Sequence, residues 1–209
     1  MTTWAVVPVK RFADSKCRLA GVLAPEARRQ LSTAMLRDVL AALTATLGVD
    51  RILLTTSEPS AASFGCSVID DGGGDLNGAI DRAAVALEAA EVARMLVIAA
   101  DIPLAAPAEI ARVLAAGRKA PVVIVPDERG LGTNALLLSP PRAITSCFGT
   151  GSRARHTAAA RSQGLASKEL RLPSLGFDVD EPGDLAQLAR ATADRTTYGF
   201  LASTFEAAE

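Results

Sequence analysis

The sequence predicts an α/β fold with a mostly parallel sheet flanked by helices. Short apolar segments alternate with amphipathic ones through the first 126 residues, an order typical of strand–helix–strand units. Residues 95–100 (MLVIAA) form a continuous apolar run, as expected of a strand that is buried on both faces. The chain has 209 residues, of which 49% are hydrophobic and 4% aromatic. We therefore expect one domain over residues 1–194 with an aliphatic core, and a C-terminal tail over residues 195–209.

Local patterns predict each element. Pro25 suits the first turn of a helix, and apolar residues then recur at spacings of three and four, at Leu36, Val39, Leu40, Leu43 and Leu47. Gly48 would end this helix. Further helices are expected over residues 76–90, 107–116 and 153–163 and from Pro182 onward. Strands are expected over residues 4–9, 51–56, 66–69, 95–100, 121–125, 134–138 and 168–172, and in a last strand that ends at residues 177–180.

Composition excludes several classes of protein. The net charge of −1 gives no overall attraction to nucleic acid or to acidic membranes. The three cysteines are widely spaced and lack a C-x-x-C pair, which argues against a disulfide framework or a zinc site. Neither a signal peptide nor an apolar run long enough to cross a bilayer is visible. We expect a cytoplasmic protein with no nucleic-acid or membrane partner.

Asp101 directly follows the apolar run, so it lies at the carboxyl edge of the predicted sheet. In open α/β sheets this edge is where ligands bind, and a buried aspartate is normally paired or bound to a metal. The alternative is that Asp101 caps the turn into the next helix.

Four cations, Lys10, Arg11, Lys16 and Arg18, follow the first strand, where phosphates often bind. This loop has no glycine before Gly21, so it is neither a P-loop nor a dinucleotide fingerprint; its alternative role is a solvated surface.

Two further carboxylates, Asp178 and Asp180, stand late in the chain. Alternation along a strand would place both on one side. Carboxylates without neighbouring Cys or His suit a hard cation, Mg²⁺ or Mn²⁺. The alternative is that Asp180 caps the helix that begins near Pro182.

Two turns rich in small residues, 130–134 and 149–152, offer backbone N–H groups and hydroxyls, and Ser152 stands at a predicted helix start that favours an anion.

His156 is the single histidine, and we expect it to be structural rather than catalytic. Cations near the first strand, a metal-binding carboxylate on the fourth strand and two more carboxylates late in the chain together suit nucleotidyl transfer. A phosphate acceptor is largely ionised at pH 7, because its second pKa is about 6. Such a nucleophile needs no strong base.

The ordered motifs resemble a known family. They are PVK (8–10), KCRLA (16–20), LNGA (76–79), ADIPL (100–104), PD (126–127), GLGTNAL (130–136), FG (148–149), GS (151–152), His156 and FDVD (177–180). Over about residues 4–190 the chain is similar to the 2-phospholactate / phosphoenolpyruvate guanylyltransferases of deazaflavin coenzyme (F-420) biosynthesis. This resemblance implies a single-domain nucleotidyltransferase fold of the glycosyltransferase-A, Rossmann-like type. It also implies that GMP from GTP is joined to a small phosphorylated carboxylic acid with release of pyrophosphate, and that the product passes to the transferase that uses Fo.

The resemblance also implies residue roles. Asp101, Asp178 and Asp180 would hold Mg²⁺, with Asp101 also catalytic. Lys10, Lys16 and Arg18 would face the triphosphate, the latter two as catalytic groups, and Leu76 and Asn77 would lie near the guanine. Thr133, Gly149 and Ser152 would receive the acceptor's phosphate or carboxylate.

Two positions depart from the family pattern. Cys17 stands where serine is common, a near-isosteric change, and Arg153 stands where an aromatic residue is expected. A cation at position 153, beside the acceptor site, would change which acid is accepted. 3-Phosphoglycerate is an alternative acceptor, because the candidate acids differ only in how one carboxylate and one phosphate are spaced. Other nucleotidyltransferases, of the molybdopterin or sugar-phosphate type, normally carry a Gly-Gly pair before an arginine in the first loop, which this chain lacks. A nucleotide-binding module without activity is disfavoured because all three carboxylates are present.

Overall fold

One mixed sheet organises the molecule. The computed structural model describes residues 1–190, 196, 197 and 199–201, and within them seven strands form a sheet of order β3-β2-β1-β4-β6-β5-β7. The strands are β1 (Thr3–Pro8), β2 (Arg51–Thr55), β3 (Ser67–Ile69), β4 (Arg94–Ile98), β5 (Val122–Pro126), β6 (Thr133–Leu138) and β7 (Ser167–Glu169).

Most of the strand pairings are parallel. β1 lies parallel to β2 and β4, β2 to β3, and β5 to β7. Only β6 runs antiparallel to its neighbours β4 and β5 among the described strands. The predicted mostly parallel, mixed α/β sheet in one domain is confirmed, and the second half adds strands to the same sheet, as expected. The predicted boundary between residues 194 and 195 lies outside the described residues.

Helices cover both faces of the sheet. They are α1 (Pro25–Thr44), α2 (Leu76–Ala89), α3 (Pro107–Ala116), α4 (Ser152–Ser162), α5 (Pro173–Gly176) and α6 (Pro182–Leu188). Successive strand residues alternate between two core clusters: Leu96 and Ile98 pack with α1 and α3, whereas Met95 and Val97 pack with α2 and α4. Because β4 is buried on both faces, its apolar run is continuous.

The first helix is shorter than its apolar pattern predicts. α1 ends at Thr44, and Leu47, expected on the apolar stripe, is 95% exposed. The N–H of Thr46 donates to the carbonyl of Leu43, and its hydroxyl donates to the carbonyl of Ala42. This tight last turn, followed by Gly48 at φ +94°, rotates Leu47 out of the helical face.

The last predicted strand is wrong. Residues 177–180 are irregular, and the expected edge strand over 168–172 is shifted to Ser167–Glu169. Pro173 starts the short helix α5 and Pro182 starts α6, so residues 177–181 form the connection between two helices, in which the Val179 N–H donates to the carbonyl of Asp101. Asp178 and Asp180 are therefore not placed by strand alternation.

The C-terminal residues that the structure describes pack on the domain. Leu201 is 1% exposed in a third core cluster with Leu19, Phe177 and Val179. On α1, buried Asp38 accepts hydrogen bonds from the backbone of residues 196 and 197. Leu201 therefore packs with residues of the 16–19 and 177–180 segments. Within the described part of the chain, no helix combines the length and the apolar character that a membrane crossing needs.

Candidate active site

A cleft of about 870 Å³ lies at the carboxyl ends of β1, β2 and β4. Its lining includes Lys10, Lys16, Arg18, Leu76, Asn77, Asp101, Gly149 and Asp180. Eight of the predicted site residues are thus brought to one cavity, at the sheet edge where α/β proteins bind ligands. A second cavity of about 780 Å³, between the end of α1 and β2, contains none of them.

Lys16 is the centre of the charged groups. Its ammonium lies 2.6 Å from Asp101 Oδ2 and 3.0 Å from Asp180 Oδ1, and its side chain is only 7% exposed. The backbone of Lys16 is left-handed (φ 53°, ψ 37°), a costly conformation for a residue with a side chain. The strained turn places a buried cation between two carboxylates that are 85 and 164 residues away. The solvated alternative for this loop is excluded for Lys16.

The charges of this cluster support one another. Burial alone would lower the pKa of Lys16, but attraction to Asp101 and Asp180 outweighs it and raises that pKa. Burial would raise the pKa of Asp180, but Lys16 and then Arg18 hold it below its ordinary value. Arg18 is 70% exposed and its Nη1 lies 3.3 Å from Asp180 Oδ2. Its guanidinium therefore remains accessible to a ligand.

Asp178 has the opposite electrostatic environment. Burial, and then repulsion from Asp101 and Asp180, raises its pKa from 3.8 to about 6. A hydrogen bond of 3.2 Å from the Asn134 side chain only partly offsets this effect. The Val179 N–H donates to the carbonyl of Asp101, which ties this segment to the end of β4. Negative charge at Asp178 is thus left uncompensated by the protein.

The three aspartates have the ligand type that a hard cation prefers, although their carboxylates are not already arranged around a common metal position. No group of three or more His, Cys, Asp or Glu close enough to hold a metal occurs in the described residues. Lys16 lies between Asp101 and Asp180 instead. Nevertheless, the donors are carboxylate oxygens, as Mg²⁺ prefers, and the raised pKa of Asp178 indicates charge that a cation would neutralise.

The capping alternatives for the aspartates are excluded. Glu181 rather than Asp180 caps α6, in a capping box with Asp184. The carboxylate of Asp101 binds Lys16.

The predicted acceptor residues surround the start of α4. Ser152 is its first residue and is 1% exposed. The Thr133 hydroxyl lies 3.1 Å from His156 Nδ1. Gly149, at φ +106°, is the one of the three that borders the cleft. Thr133 and Ser152 are both buried, and neither borders the cleft.

The predicted guanine-binding residues lie at the start of α2, which Asp75 caps by accepting from the Gly78 N–H at 2.8 Å. Leu76 is 36% exposed. Asn77, in contrast, uses its amide on the backbone of Phe148, with Nδ2 donating at 3.2 Å and Oδ1 accepting at 2.7 Å.

Comparison with known proteins identifies the family. The family model described as "Guanylyl transferase CofC like" matches residues 3–206. This chain belongs to that family. The phosphoenolpyruvate guanylyltransferase of Conexibacter woesei is 42% identical, over 93% of this chain and 91% of the relative. The 2-phospho-L-lactate guanylyltransferase of Methanothermobacter thermautotrophicus is 36% identical, over 90% of this chain and 84% of the relative.

Solved structures agree on the fold of this CofC-like guanylyltransferase. A nucleotide-diphospho-sugar transferase structure from Desulfovibrio desulfuricans has a TM-score of 0.81 at 17% identity, covering 99% of this chain and 96% of that one. A 4-diphosphocytidyl-2C-methyl-D-erythritol synthase has a TM-score of 0.63 at 14% identity, covering 90% and 97%. The predicted family, the nucleotidyltransferase fold and the guanylyltransferase activity are confirmed.

Sequence reasoning missed Asn134 in this guanylyltransferase site and gave Arg153 a different role. Asn134 donates to the carbonyl of Gly176 at 3.0 Å as well as to Asp178; the signal was a polar residue inside an otherwise apolar strand. Arg153 was expected to add a free cation beside the acceptor. Instead, its Nε donates to the Gly130 carbonyl at 2.5 Å and its Nη1 pairs with Glu169 at 3.1 Å, so it joins the 127–132 loop to α4.

Proposed function

We propose that this guanylyltransferase joins GMP from GTP to a small phosphorylated carboxylic acid, with phosphoenolpyruvate as the first candidate acceptor. Relatives named for phosphoenolpyruvate are 35–42% identical, and a relative named for 2-phospho-L-lactate is 36% identical. 2-Phospho-L-lactate and 3-phosphoglycerate are the alternative acceptors. The observation that carries the proposal is the convergence of Lys16, Asp101 and Asp180 in the cleft beside Gly149.

The chemistry is an in-line displacement at the α-phosphorus of GTP. An oxygen of the acceptor phosphate forms the new P–O bond, the bond to the β-phosphate breaks, and pyrophosphate leaves. The acceptor phosphate is already largely ionised at neutral pH, so a general base is unnecessary. The chain's single histidine is buried and bonded to Thr133 and the Cys147 N–H, which supports a reaction without one.

Cationic side chains would supply the electrostatic part of catalysis. Lys10 and Arg18 line the cleft and would pair with the triphosphate, while Lys16 would stabilise charge that develops on the transferred phosphoryl group. Asp101, Asp178 and Asp180 would hold Mg²⁺, which when bound neutralises phosphate charge.

The remaining contacts concern the two substrates. Leu76 would lie against the guanine, with Asn77 beside it at the start of α2. Thr133, Gly149 and Ser152 would receive the acid, as the family resemblance implies, with Gly149 at the border of the cleft. The N–H groups of Ser152 and Arg153 already donate to the carbonyls of Gly149 and Leu131. The product would pass to the F-420 transferase that uses Fo, in the cytoplasm.

A direct assay tests this function. The protein is incubated with GTP, Mg²⁺ and each acid in turn, and pyrophosphate is measured; CTP replaces GTP as the nucleotide control. Coupling to the Fo transferase, with the product identified by mass, traps a labile intermediate. Asp101→Asn should nearly abolish turnover, whereas Glu88→Gln, a remote exposed carboxylate on α2, should not change it. Full activity of Asp101→Asn, or no pyrophosphate with any acid, would refute the proposal.

A further inference from the structure

The backbone of residues 147–149 is held from two sides by side chains. On one side, Asn77 on α2 makes two hydrogen bonds to Phe148, like those between paired strands. On the other side, His156 Nε2 lies 3.0 Å from the Cys147 N–H, which donates to it. The intervening segment leads directly to Gly149, which borders the cleft.

The hydrogen bonds of His156 determine its protonation pattern. Because the Cys147 N–H donates to Nε2, that nitrogen carries no proton, and the neutral ring must be protonated at Nδ1. Nδ1–H then donates to Thr133 Oγ1, which leaves the threonine hydroxyl hydrogen free to donate elsewhere. The ring is fully buried and packs edge-to-face on Phe148, with centroids 4.8 Å apart. Burial, and then Arg155, lowers the pKa of His156 to about 4, so the ring stays neutral near pH 7.

Asn77 connects two parts of the site that are 71 residues apart. Both polar atoms of its amide are used on Phe148, whose carbonyl also accepts from Arg155 at 3.0 Å. A side chain engaged in this way is poorly placed to read a base edge. It is well placed to keep the 147–149 segment at a constant distance from the start of α2.

We propose that Asn77 and His156 are positioning residues for the acceptor, which order residues 147–149 at the border of the cleft. Asn77 therefore serves the acceptor rather than the guanine. This inference rests on the proposed function, since it assigns the acceptor to Gly149, Thr133 and Ser152.

The test compares Asn77→Ala, Asn77→Asp, His156→Ala and His156→Asn with wild type. Thr46→Val is the matched control, because it removes a buried hydroxyl hydrogen bond at the far end of α1. Steady-state KM for phosphoenolpyruvate and for GTP is measured separately. Amide hydrogen exchange at Cys147 and Phe148 is measured on the free protein, where substrate chemistry plays no part.

Both alanine variants should raise the acceptor KM about tenfold, as expected for the loss of one or two ordinary hydrogen bonds, and leave the GTP KM within about twofold. Exchange at Phe148 should accelerate about tenfold or more in Asn77→Ala, but not in Asn77→Asp, which keeps an oxygen acceptor. His156→Asn retains an amide N–H donor in place of the ring Nδ1–H. It tests the role of His156 if His156→Ala does not fold.

Three results would overturn the inference. The first is a GTP KM that rises as much as the acceptor KM, and the second is unchanged exchange at Phe148 in Asn77→Ala. The third is a change in acceptor KM and in exchange in Thr46→Val that equals the change in the Asn77 and His156 variants. If wild type turns over none of the acids, the proposed function is refuted instead. The exchange data then decide by themselves whether Asn77 and His156 order the segment.

Discussion

Replacing Asp178 with asparagine should make the protein more stable and inactive. The ionised carboxylate is destabilised by burial and by repulsion from Asp101 and Asp180, which raise its pKa from 3.8 to about 6. Asparagine removes the charge and keeps an oxygen that can accept from Asn134. The same negative charge is what the proposed metal site needs. The substitution therefore separates stability from function.

The magnitude follows from the pKa. A shift of about two units corresponds to at most ~3 kcal/mol, and because Asp178 is partly exposed we expect ~1–2 kcal/mol after solvent screening. For a chain of this length each kcal/mol changes the thermal midpoint by roughly 2–4 °C. The variant should thus melt roughly 2–8 °C above wild type at pH 7.5.

The pH dependence has a definite sign. A raised carboxyl pKa means that the folded state binds the proton more tightly, so wild type loses stability as the pH rises from about 4 through about 6. The advantage of Asp178→Asn should be absent near pH 4, grow across this interval and be constant above pH 7. Thermal melts at a series of pH values measure it, with Glu88→Gln as the control for loss of an exposed carboxylate.

Metal ion gives a second check on the same variant. Adding Mg²⁺ with GTP should raise the midpoint of wild type, because a cation relieves the repulsion among the aspartates, and should raise that of Asp178→Asn much less. A variant that is less stable than wild type at pH 7.5, or equally more stable at pH 4, would refute the electrostatic reasoning.

Three other substitutions test separate parts of the structure. Lys16→Met removes the cation between the carboxylates and should lower kcat about 10²–10³-fold. The neighbouring control Cys17→Ser should leave kcat within about twofold; an equal loss of kcat in both variants would contradict the role of Lys16. Asp38→Ala removes three hydrogen bonds to residues 196 and 197 and should lower the free energy of unfolding in urea by ~1–3 kcal/mol; an unchanged free energy would contradict a stabilising role of these contacts. Gly117→Ala places a Cβ into the buried Leu137 side chain and should cost ~1–3 kcal/mol with unchanged KM for both substrates.

Short-range patterns predicted most elements because their causes are local. The apolar run before Asp101 indicated a doubly buried strand, and Pro25 marked the start of α1, as observed. The same kind of reasoning failed at Leu47 and at residues 177–180, where a tight turn and two flanking prolines override the apolar pattern.

The sequence by itself determined the fold class and the family, because strand periodicity, turn residues and ordered motifs are local features of the chain. Most of the site residues that it predicted also line the cleft. Only the tertiary structure decided how those residues pair. The contacts of Lys16 with Asp101 and Asp180, of Asn77 with Phe148 and of Thr133 with His156 join residues 23 to 164 positions apart. Their geometry depends on packing of the whole sheet and its helices, which no local pattern specifies.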